Sequence, residues 1–504
     1  MGTPILSRTC WFSGARAVGT VGWIKNFRKL AVVSIALAMA NSPAAARQEP
    51  REGTPVTYSP ELLLELKQIQ QAALGSDYAL RQLAVLTNKI GPRLSGSAQA
   101  QSAVEYVAGE LRRLRLDVRL EKVLAPHWVR GEEKAELVKF PGQVSGITQK
   151  IVLTTLGGSV ATPPNGLTGE IVSVGSFEEL NALGRARIEG KIVLFNCPFD
   201  QKMAAQGFGR EAYRQIVPYR TGGASAAARQ GAVAALVRSA GDSDYRLPHA
   251  GFMRYSTDAP QIPAAALTGE DAELIEGLSK EGPVRLHLTL TPQTLPDAES
   301  YNVVADLKGS EHPEQIVIVS GHLDSWDLGT GAIDDGAGVA MVLQTVRVLR
   351  DLNLHPKRTI RVIAWMSEEF GGIGGKAYAR DHKGEASNHV AAIESDHGAG
   401  HPLGFSIKAK QTVRPILDPV SRVLQSSGAG LIGFTEDIET DISPLADAGV
   451  PCFGLWQDDR TYFNYHHTAA DTLDKVVPEE LAKNAAIMAT LAYALANLAQ
   501  PPPR

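Results

Sequence analysis

Cysteine is scarce in this chain, with three residues in 504. They stand far apart, at Cys10, Cys197 and Cys452, so no spacing suggests a thiolate metal site or a dense disulfide framework. Cys10 falls in a segment that we expect to be removed. The other two could pair in an oxidising compartment or remain as buried free thiols. Low-complexity tracts are also missing, as expected of a globular protein.

Long hydrophobic runs are missing as well. The apolar run at residues 30–40 has eleven residues, which at ~1.5 Å per residue cover about half of a ~30 Å membrane core. Small residues at 44–46 offer a cleavage site, and basic residues precede the run: Arg8, Arg16, Lys25, Arg28 and Lys29. The pattern predicts a signal peptide over 1–46, cleaved near Ala46, and export to a periplasmic or extracellular space rather than a membrane anchor.

The chain also lacks an excess of positive charge. Removing the five basic residues of segment 1–46 from the total of 50 leaves 45 against 54 acidic residues, a formal charge of −9. A protein with this balance has no electrostatic attraction for a polyanion. We therefore expect no nucleic-acid partner.

The chain is too long for one ordinary core, so we expect two domains or one domain with an insertion. An α/β layer structure begins in segment 47–128, where Ser59-Pro60 is a typical helix start. Segment 129–290 changes to short β runs with one Ala-rich helix at 224–230 and reads as a β-rich insert. This insert could be a substrate-selecting lid or a passive spacer. The α/β pattern returns in segment 291–504.

Buried strands are predicted at 315–320, 359–365, 390–393 and 451–455, with a helix at 335–354 and another at 478–499. This alternation predicts an α/β fold with a mostly parallel sheet covered by helices on both faces. Ligands of such sheets bind beyond the carboxyl ends of the strands. The residues that follow each strand are therefore the candidates for function.

Three of these strands run directly into imidazole or carboxylate residues. The residues delivered to this edge are His322, Asp324, Asp334, Asp335, Glu368, Glu369, Asp396 and His397, and a later element adds His466 and His467. Unpaired carboxylates this close together would repel one another. Divalent cations remove that cost, and His/Asp/Glu ligands without cysteine suit catalytic zinc.

Five ligands suffice for two metal ions if one carboxylate binds both ions as a bridge. We expect this bridge to be Asp334, which lies in a glycine-rich turn. Asp335 is expected to cap the following helix. Asp324 is placed to fix the tautomer of His322 rather than to bind metal. The choice between His466 and His467 stays open at this point.

Glu368 and Glu369 are adjacent at a strand end, where successive side chains point in different directions. One can bind metal while the other faces a water molecule. We expect Glu369 to be the ligand and Glu368 the general base that moves a proton to the leaving amine.

Four motifs carry a family resemblance: GHLDSWDLGTGAIDDGAG, MSEEFGGIGG, ESDHG and YHHTAADTLDKV. Together they resemble the co-catalytic zinc peptidases, a family of aminopeptidases and glutamate carboxypeptidases. Further segments are similar to its carboxypeptidase Q branch, namely IGPRLSGS, PHWVRG, YNVVADLKG and TDISPLADAGVP. The resemblance covers nearly the whole chain after residue 46.

The resemblance implies two zinc ions per chain. It places His322, Asp334 and Asp396 around one ion and Asp334, Glu369 and His467 around the other, with Glu368 as base. It also implies a protease-associated-like insert, a homodimer, and dipeptide or short-peptide substrates. An aminopeptidase with the same metal site is the alternative. Three residues are expected to line the substrate site, with Asp441 facing a substrate ammonium group or serving a structural turn: Thr440, Asp441 and Ser443.

Overall fold

The computed structural model describes residues 57–241 and 243–504. The predicted signal peptide at 1–46 lies outside these residues. The strands of the described part are β1 (Asp117–Val129), β2 (Glu133–Lys139), β3 (Gln149–Ile151), β4 (Leu153–Thr155), β5 (Leu167–Val174), β6 (Ile192–Phe195), β7 (Ala234–Arg238), β8 (Ala264–Leu267), β9 (Arg285–Leu290), β10 (Gln293–Leu307), β11 (His312–His322), β12 (Arg358–Trp365), β13 (His389–Glu394), β14 (Pro402–Lys408), β15 (Leu431–Phe434) and β16 (Cys452–Gln457).

The α-helices are α1 (Pro60–Leu74), α2 (Tyr78–Val85), α3 (Ala98–Arg113), α4 (Phe177–Ile188), α5 (Gln201–Ala205), α6 (Gly209–Arg229), α7 (Gly269–Glu281), α8 (Ala337–Asp351), α9 (Ile373–Asp381), α10 (Arg414–Leu424), α11 (Ser443–Asp447) and α12 (Pro478–Asn497). Helix α1 begins as predicted, because the hydroxyl of Ser59 accepts a hydrogen bond from the N–H of Leu62 at 3.1 Å. Across 57–241 and 243–504, every helix is too short or too polar to cross a membrane.

The first of two sheets has eight strands in the order β1-β10-β12-β11-β13-β16-β14-β15. Its central strands β12, β11, β13 and β16 are parallel to one another. Antiparallel pairs occur toward the edges, where β10 pairs with β1 and β12 and β14 pairs with β16. The prediction of a mostly parallel central sheet is confirmed.

Both faces of this sheet are buried, which explains the continuous apolar runs in its strands. Along β11, Val317 and Val319 enter one core cluster while Ile316 and Ile318 enter another on the opposite face. Residues of α1, α2, α8 and α12 fill the first cluster, and residues of α9 and α11 fill the second. A strand covered on both sides has no polar face, so alternation of polar and apolar residues disappears.

The segment between β1 and β10 forms a second eight-stranded sheet with the order β3-β2-β9-β5-β6-β7-β8-β4. The prediction of a single helix near 224–230 is wrong, because this segment also contains α4, α5 and α7. The predicted helix itself begins much earlier, at Gly209. Pro218 and two adjacent glycines interrupt its sequence pattern, and such residues usually mark the end of a helix.

Both cysteines of the described residues are free thiols. Cys452 is buried in β16, and the thiol of Cys197 donates to the carbonyl of Gly175 at 2.8 Å. Of the two alternatives left by the sequence, the structure has the unpaired form.

An apolar cluster joins the insert to the peptidase sheet. It contains Leu94, Trp128, Ala250, Trp326 and Phe370. Gly157 of the insert lies directly against the indole of Trp326, so that a Cβ on this glycine would stand 2.0 Å from Cη2 of the ring. Only a residue without a side chain fits between the two units at this point.

We predict that Gly157→Ala destabilises the protein by about 1–3 kcal/mol, the usual cost of overpacking a rigid site. Gly109→Ala in α3 is the matched control, because nothing lies within 4 Å of the added Cβ. That change should be neutral or stabilise the helix by about 0.5–1 kcal/mol. Urea unfolding of the two variants measures the difference, and equal free energies of unfolding would contradict the close approach.

Candidate metal centre and active-site cleft

The parallel strands of the central sheet end side by side at one edge. In the register of the sheet, His322 at the end of β11 is opposite Trp365 of β12, and Ser320 is opposite Glu394 of β13. The loops that leave these strand ends therefore start from neighbouring points. They carry the predicted site residues Glu368, Glu369 and Asp396.

Asp334 and Asp335 lie in the turn Ala332–Gly336, which connects this edge to α8. The carboxylate of Asp335 accepts hydrogen bonds from the N–H of Gly338 at 2.9 Å and from the N–H of His322 at 3.0 Å. It thus caps α8 as expected and also ties the turn to the end of β11. The helix begins two residues later than predicted because Asp335 acts as a cap rather than as a helical residue.

His466 and His467 lie in the loop that follows β16. The backbone of His467 has φ 59°, a left-handed conformation that is uncommon outside glycine. Its carbonyl accepts from the N–H of Ala250 at 2.8 Å, and its Nδ1 donates to the carbonyl of Ala250 at 3.3 Å. A residue of the insert therefore fixes the orientation of this ring and leaves Nε2 free for the site.

Five side chains form two groups that share Asp334. Nε2 of His322 lies 3.0 Å from Asp334 Oδ1 and 3.1 Å from Asp396 Oδ1. Nε2 of His467 lies 3.1 Å from Asp334 Oδ2 and 3.0 Å from Glu369 Oε2. The donor atoms of each group are close enough to hold one metal ion. One oxygen of Asp334 faces each group, which is the arrangement of a bridging carboxylate.

The donor set fits divalent cations such as zinc. Ligand atoms at about 2.0 Å from a tetrahedral zinc ion stand roughly 3.3 Å from one another, close to the spacing found here. Asp334 Oδ2 and Glu369 Oε1 are buried, and neither accepts a hydrogen bond within residues 57–241 and 243–504. Buried carboxylate oxygens without donors are costly unless a cation binds them.

The pKa values of the site residues also favour a bound cation. Burial raises the pKa of Glu369 to about 8, and burial also raises the pKa of Glu368. Burial would lower the pKa of His322, but the carboxylates of Asp396 and Asp334 hold it well above its usual value. A nearby positive charge stabilises the ionised form of buried carboxyls such as these.

Asp324 occupies a different position from the one expected. The backbone carbonyl of Asp324, not its carboxylate, accepts from Nδ1 of His322 at 3.0 Å. The nearest carboxylate oxygen is 3.9 Å from that nitrogen and instead accepts from the N–H of Glu368 at 3.0 Å. The chain turns back after β11, which brings the carbonyl to the ring and directs the side chain toward the next strand end.

A cavity of about 430 Å³ opens onto the two groups. Glu368 borders this cavity beside Asp334, Glu369 and Asp396, and Thr440 also lines it. Glu368 belongs to neither group of close donor atoms, and it lines the cavity beside them.

Asp441 and Ser443 do not line this cavity. Asp441 is fully buried, and its Oδ1 accepts from the N–H of Gly375 at 3.1 Å. The hydroxyl of Ser443 donates to the carbonyl of Thr440 at 2.9 Å. Of the three expected substrate contacts, only Thr440 reaches the cavity. The hydrogen bond between Asp441 and Gly375 is consistent with the structural alternative.

The opposite wall of the cavity comes from the insert, a feature that sequence reasoning missed. One face of α6 supplies Arg210, Tyr213, Arg214, Val217 and Arg220. Their spacing of three and four residues is typical of a single helix face. The same spacing is present in the sequence, but Pro218 inside the helix hides it.

His249 is a second contribution of the insert. It is fully buried, and its Nε2 lies 3.0 Å from Nδ1 of His466. His466 in turn stacks on His467 with ring centroids 3.7 Å apart. Burial lowers the pKa of His249 well below its usual value, so this ring is neutral. The neighbouring histidines thus reinforce the position of His467.

Arg93, from the segment before α3, holds the loops of the site together. It is fully buried and donates to the carbonyls of Leu323 at 2.7 Å, Thr330 at 2.8 Å and Gly331 at 2.8 Å. One guanidinium therefore connects the end of β11 to the residues that lead into the turn Ala332–Gly336.

Asp471 also fixes this loop, but it accepts hydrogen bonds from N–H groups of the backbone. Its Oδ1 accepts from the N–H groups of Ala332 at 2.8 Å and Ile333 at 2.7 Å. These two residues directly precede Asp334 in the chain. The position of the shared carboxylate therefore depends on a side chain that does not itself belong to either group.

We predict that Asp471→Ala lowers the free energy of unfolding by about 3 kcal/mol, since it leaves two buried N–H groups without an acceptor. Asp471→Asn keeps one carbonyl oxygen for both donors and should cost about 1 kcal/mol. Denaturant unfolding compares the two variants. An equal loss in both would show that these hydrogen bonds do not support the turn.

Comparison with known proteins identifies the family of this chain. The family model described as Peptidase family M28 matches residues 302–492, and the model described as PA domain matches residues 159–275. The chain is 38% identical to carboxypeptidase Q of Bos taurus over 429 residues, which are 84% of this chain and 86% of the relative. It is 25% identical to the aminopeptidase YwaD of Bacillus subtilis (strain 168) over 430 residues, 82% of this chain and 84% of that one.

A solved structure is similar over a comparable length. The crystal structure of a peptidase M28 precursor from Shewanella amazonensis SB2B matches with a TM-score of 0.82 and 38% identity, covering 88% of this chain and 99% of that chain. The chain therefore belongs to peptidase family M28, as a metallo-exopeptidase with an inserted PA domain and carboxypeptidase Q relatives over most of its length.

Proposed function

We propose that this protein is an exported di-zinc peptidase that hydrolyses dipeptides or short peptides in the manner of carboxypeptidase Q. The observation that carries the proposal is the shared carboxylate of Asp334, which faces His322 and Asp396 on one side and Glu369 and His467 on the other. Export rests on the sequence of segment 1–46.

His322, Asp334 and Asp396 would hold one zinc ion, and Asp334, Glu369 and His467 would hold the other. When bound, such a pair of ions supplies Lewis acidity toward the scissile carbonyl and lowers the pKa of water in the site.

Glu368 is the proposed general base. Asp324 fixes its backbone by accepting its N–H, and its carboxyl borders the cavity in which the substrate would lie. Glu368 would accept a proton from the attacking water and return it to the nitrogen of the leaving amine. Both transfers need a carboxyl held within hydrogen-bond reach of the reacting atoms.

The cavity argues for small substrates. A volume of about 430 Å³ lies at the small end of the range for ligand pockets, roughly 300–1,000 Å³. The face of α6 closes one side, so a folded protein chain could not reach Glu368. A dipeptide or another short peptide fits this enclosure.

An aminopeptidase with the same metal centre is the second candidate. The observation in its favour is the relative from Bacillus subtilis that is named an aminopeptidase. The two candidates differ in which free terminus the cleft must recognise, and peptides blocked at one end separate them.

We predict that Glu368→Gln lowers kcat for a dipeptide by ~100-fold or more while the zinc content stays at the wild-type value. The amide cannot accept the proton, but it is close in size and Glu368 is not among the proposed ligands. Glu299→Gln, on the exposed end of β10, is the control and should leave both quantities unchanged. A Glu368→Gln enzyme with near-normal turnover would refute the role of this residue.

We also predict two zinc ions per chain after reconstitution, measured by elemental analysis of the purified protein. Asp396→Asn and Glu369→Gln each alter one of the two groups, so each variant should lose one ion and retain the other. Asp334→Asn alters both groups and should reduce the content below one. A wild-type content of one ion, or a full complement in Asp334→Asn, would contradict the shared carboxylate.

A further inference from the structure

Two adjacent histidines lie near the same oxygen of the shared carboxylate. Nε2 of His466 is 3.3 Å from Asp334 Oδ2, and Nε2 of His467 is 3.1 Å from it. The two rings are stacked with centroids 3.7 Å apart. A neutral imidazole carries one proton and binds metal through the other nitrogen. The position of the proton on each ring therefore decides which of them can be a ligand.

Two adjacent residues of the insert contact these two rings. Nδ1 of His467 donates to the carbonyl of Ala250 at 3.3 Å, so the lone pair of this ring is on Nε2. Nδ1 of His466 instead lies 3.0 Å from Nε2 of His249. The insert thus presents a carbonyl acceptor to one ring and an imidazole nitrogen to the other.

The surroundings of His249 indicate which of its nitrogens carries the proton. This ring is fully buried, and its Nδ1 forms no hydrogen bond with the described residues. Buried N–H groups without an acceptor are rarer than buried acceptors without a donor. The proton is therefore on Nε2, which donates to Nδ1 of His466. Since that Nδ1 accepts, the proton of His466 is on Nε2, where it faces the carboxylate of Asp334.

The insert holds His249 in a fixed position. Its backbone N–H donates to the hydroxyl of Ser239 at 2.9 Å, and this hydroxyl donates to the carbonyl of Leu267 at 2.6 Å. Gly241 lies against the imidazole, since a Cβ there would stand 2.9 Å from Cδ2 of the ring. The ring of His249 therefore has little room to turn away from His466.

We infer that His249 is a positioning residue that decides, together with Ala250, which of the two adjacent histidines binds metal. This role rests on the proposed function, in which His467 is a zinc ligand. The carbonyl of Ala250 leaves a lone pair on Nε2 of His467, whereas the N–H of His249 places a proton on Nε2 of His466. That nitrogen donates toward Asp334 and cannot coordinate an ion. The insert thus acts on the metal centre itself.

A third metal site is the rival interpretation of these rings. His249, His466 and His467 are close enough to one another to hold an ion. An ion would need nitrogens without protons, but the hydrogen bond of 3.0 Å between His249 and His466 has a proton between them. We therefore expect two zinc ions per chain and no third.

Nuclear magnetic resonance tests the protons directly. In zinc-loaded protein labelled with ¹⁵N-histidine, long-range ¹H–¹⁵N correlations distinguish rings protonated at Nδ1 from rings protonated at Nε2. The signals that disappear in His466→Phe identify His466, and they should show the proton on Nε2. A proton on Nδ1 of His466 in the wild-type protein would overturn the role of His249, and so would a third zinc ion.

Replacement of His249 tests whether it sets this tautomer. His249→Leu removes the donor, so His466 should shift its proton to Nδ1, and its Nε2 can then compete for the metal. We expect two zinc ions to stay bound while kcat for a dipeptide falls by roughly 10- to 100-fold, the usual effect of losing a residue that orients a ligand from outside the ligand set.

Two further variants distinguish this role from simple packing. His249→Gln keeps an N–H donor and should restore both the proton on Nε2 of His466 and most of the activity. His287→Leu removes another histidine of the insert, which is hydrogen-bonded to Thr168 in that unit, and should behave as wild type. An unchanged tautomer of His466 in His249→Leu, or equal losses of activity in His249→Leu and His249→Gln, would show that His249 only fills space.

The tautomers are measured without turnover, which keeps this result separate from the proposed reaction. A protein that cleaves no peptide would refute the proposed function, while a proton on Nε2 of His466 that is lost in His249→Leu would still support the role of His249. If His249→Leu unfolds, the spectra of the wild-type protein and of His249→Gln decide, because both must show the proton on Nε2.

Discussion

The structure depends on the burial of several carboxylates at one edge of a sheet. Asp334 lies between two imidazoles, with an oxygen toward each, while Glu369 and Glu368 are close by and have raised pKa values. Bringing these groups together without cations would favour protonation or separation of the carboxyls. The surrounding chain instead holds them in place. The proposed pair of zinc ions gives this arrangement a physical reason, since two divalent charges offset the repulsion that the fold imposes.

The rest of the peptidase sheet can be understood as support for that cluster. Parallel strands place His322 and the loops carrying Glu369 and Asp396 next to one another. Arg93 and Asp471 then fix the turn that carries Asp334 through hydrogen bonds to the backbone before it. Such backbone ties are the usual means by which proteins orient ligands from outside the ligand set.

Much of this arrangement could be predicted from the sequence, for a specific reason. Buried parallel strands are continuous apolar runs, so the polar residues after each run stand out, and their meeting at one edge follows from topology. Other features had no such signal. Both His466 and His467 lie near Asp334 Oδ2, at 3.3 and 3.1 Å, so residue type alone could not separate them. The sequence spacing predicts that Asp324 fixes the tautomer of His322, but it does not show that the backbone carbonyl rather than the carboxylate reaches the ring.

The insert was the least predictable part, although its helix α6 forms one wall of the cavity. Its helix α6 was hidden by Pro218 and by adjacent glycines, so the stripe of arginines on it could not be recognised. With α6 as a wall of the cavity, a passive spacer no longer describes this unit. In the proposed function, the sheet edge supplies the groups for hydrolysis, and α6 of the insert faces the cavity in which the peptide would lie. In the proposed reaction, a change on α6 would alter one wall of the cavity without replacing Asp334 or Glu368.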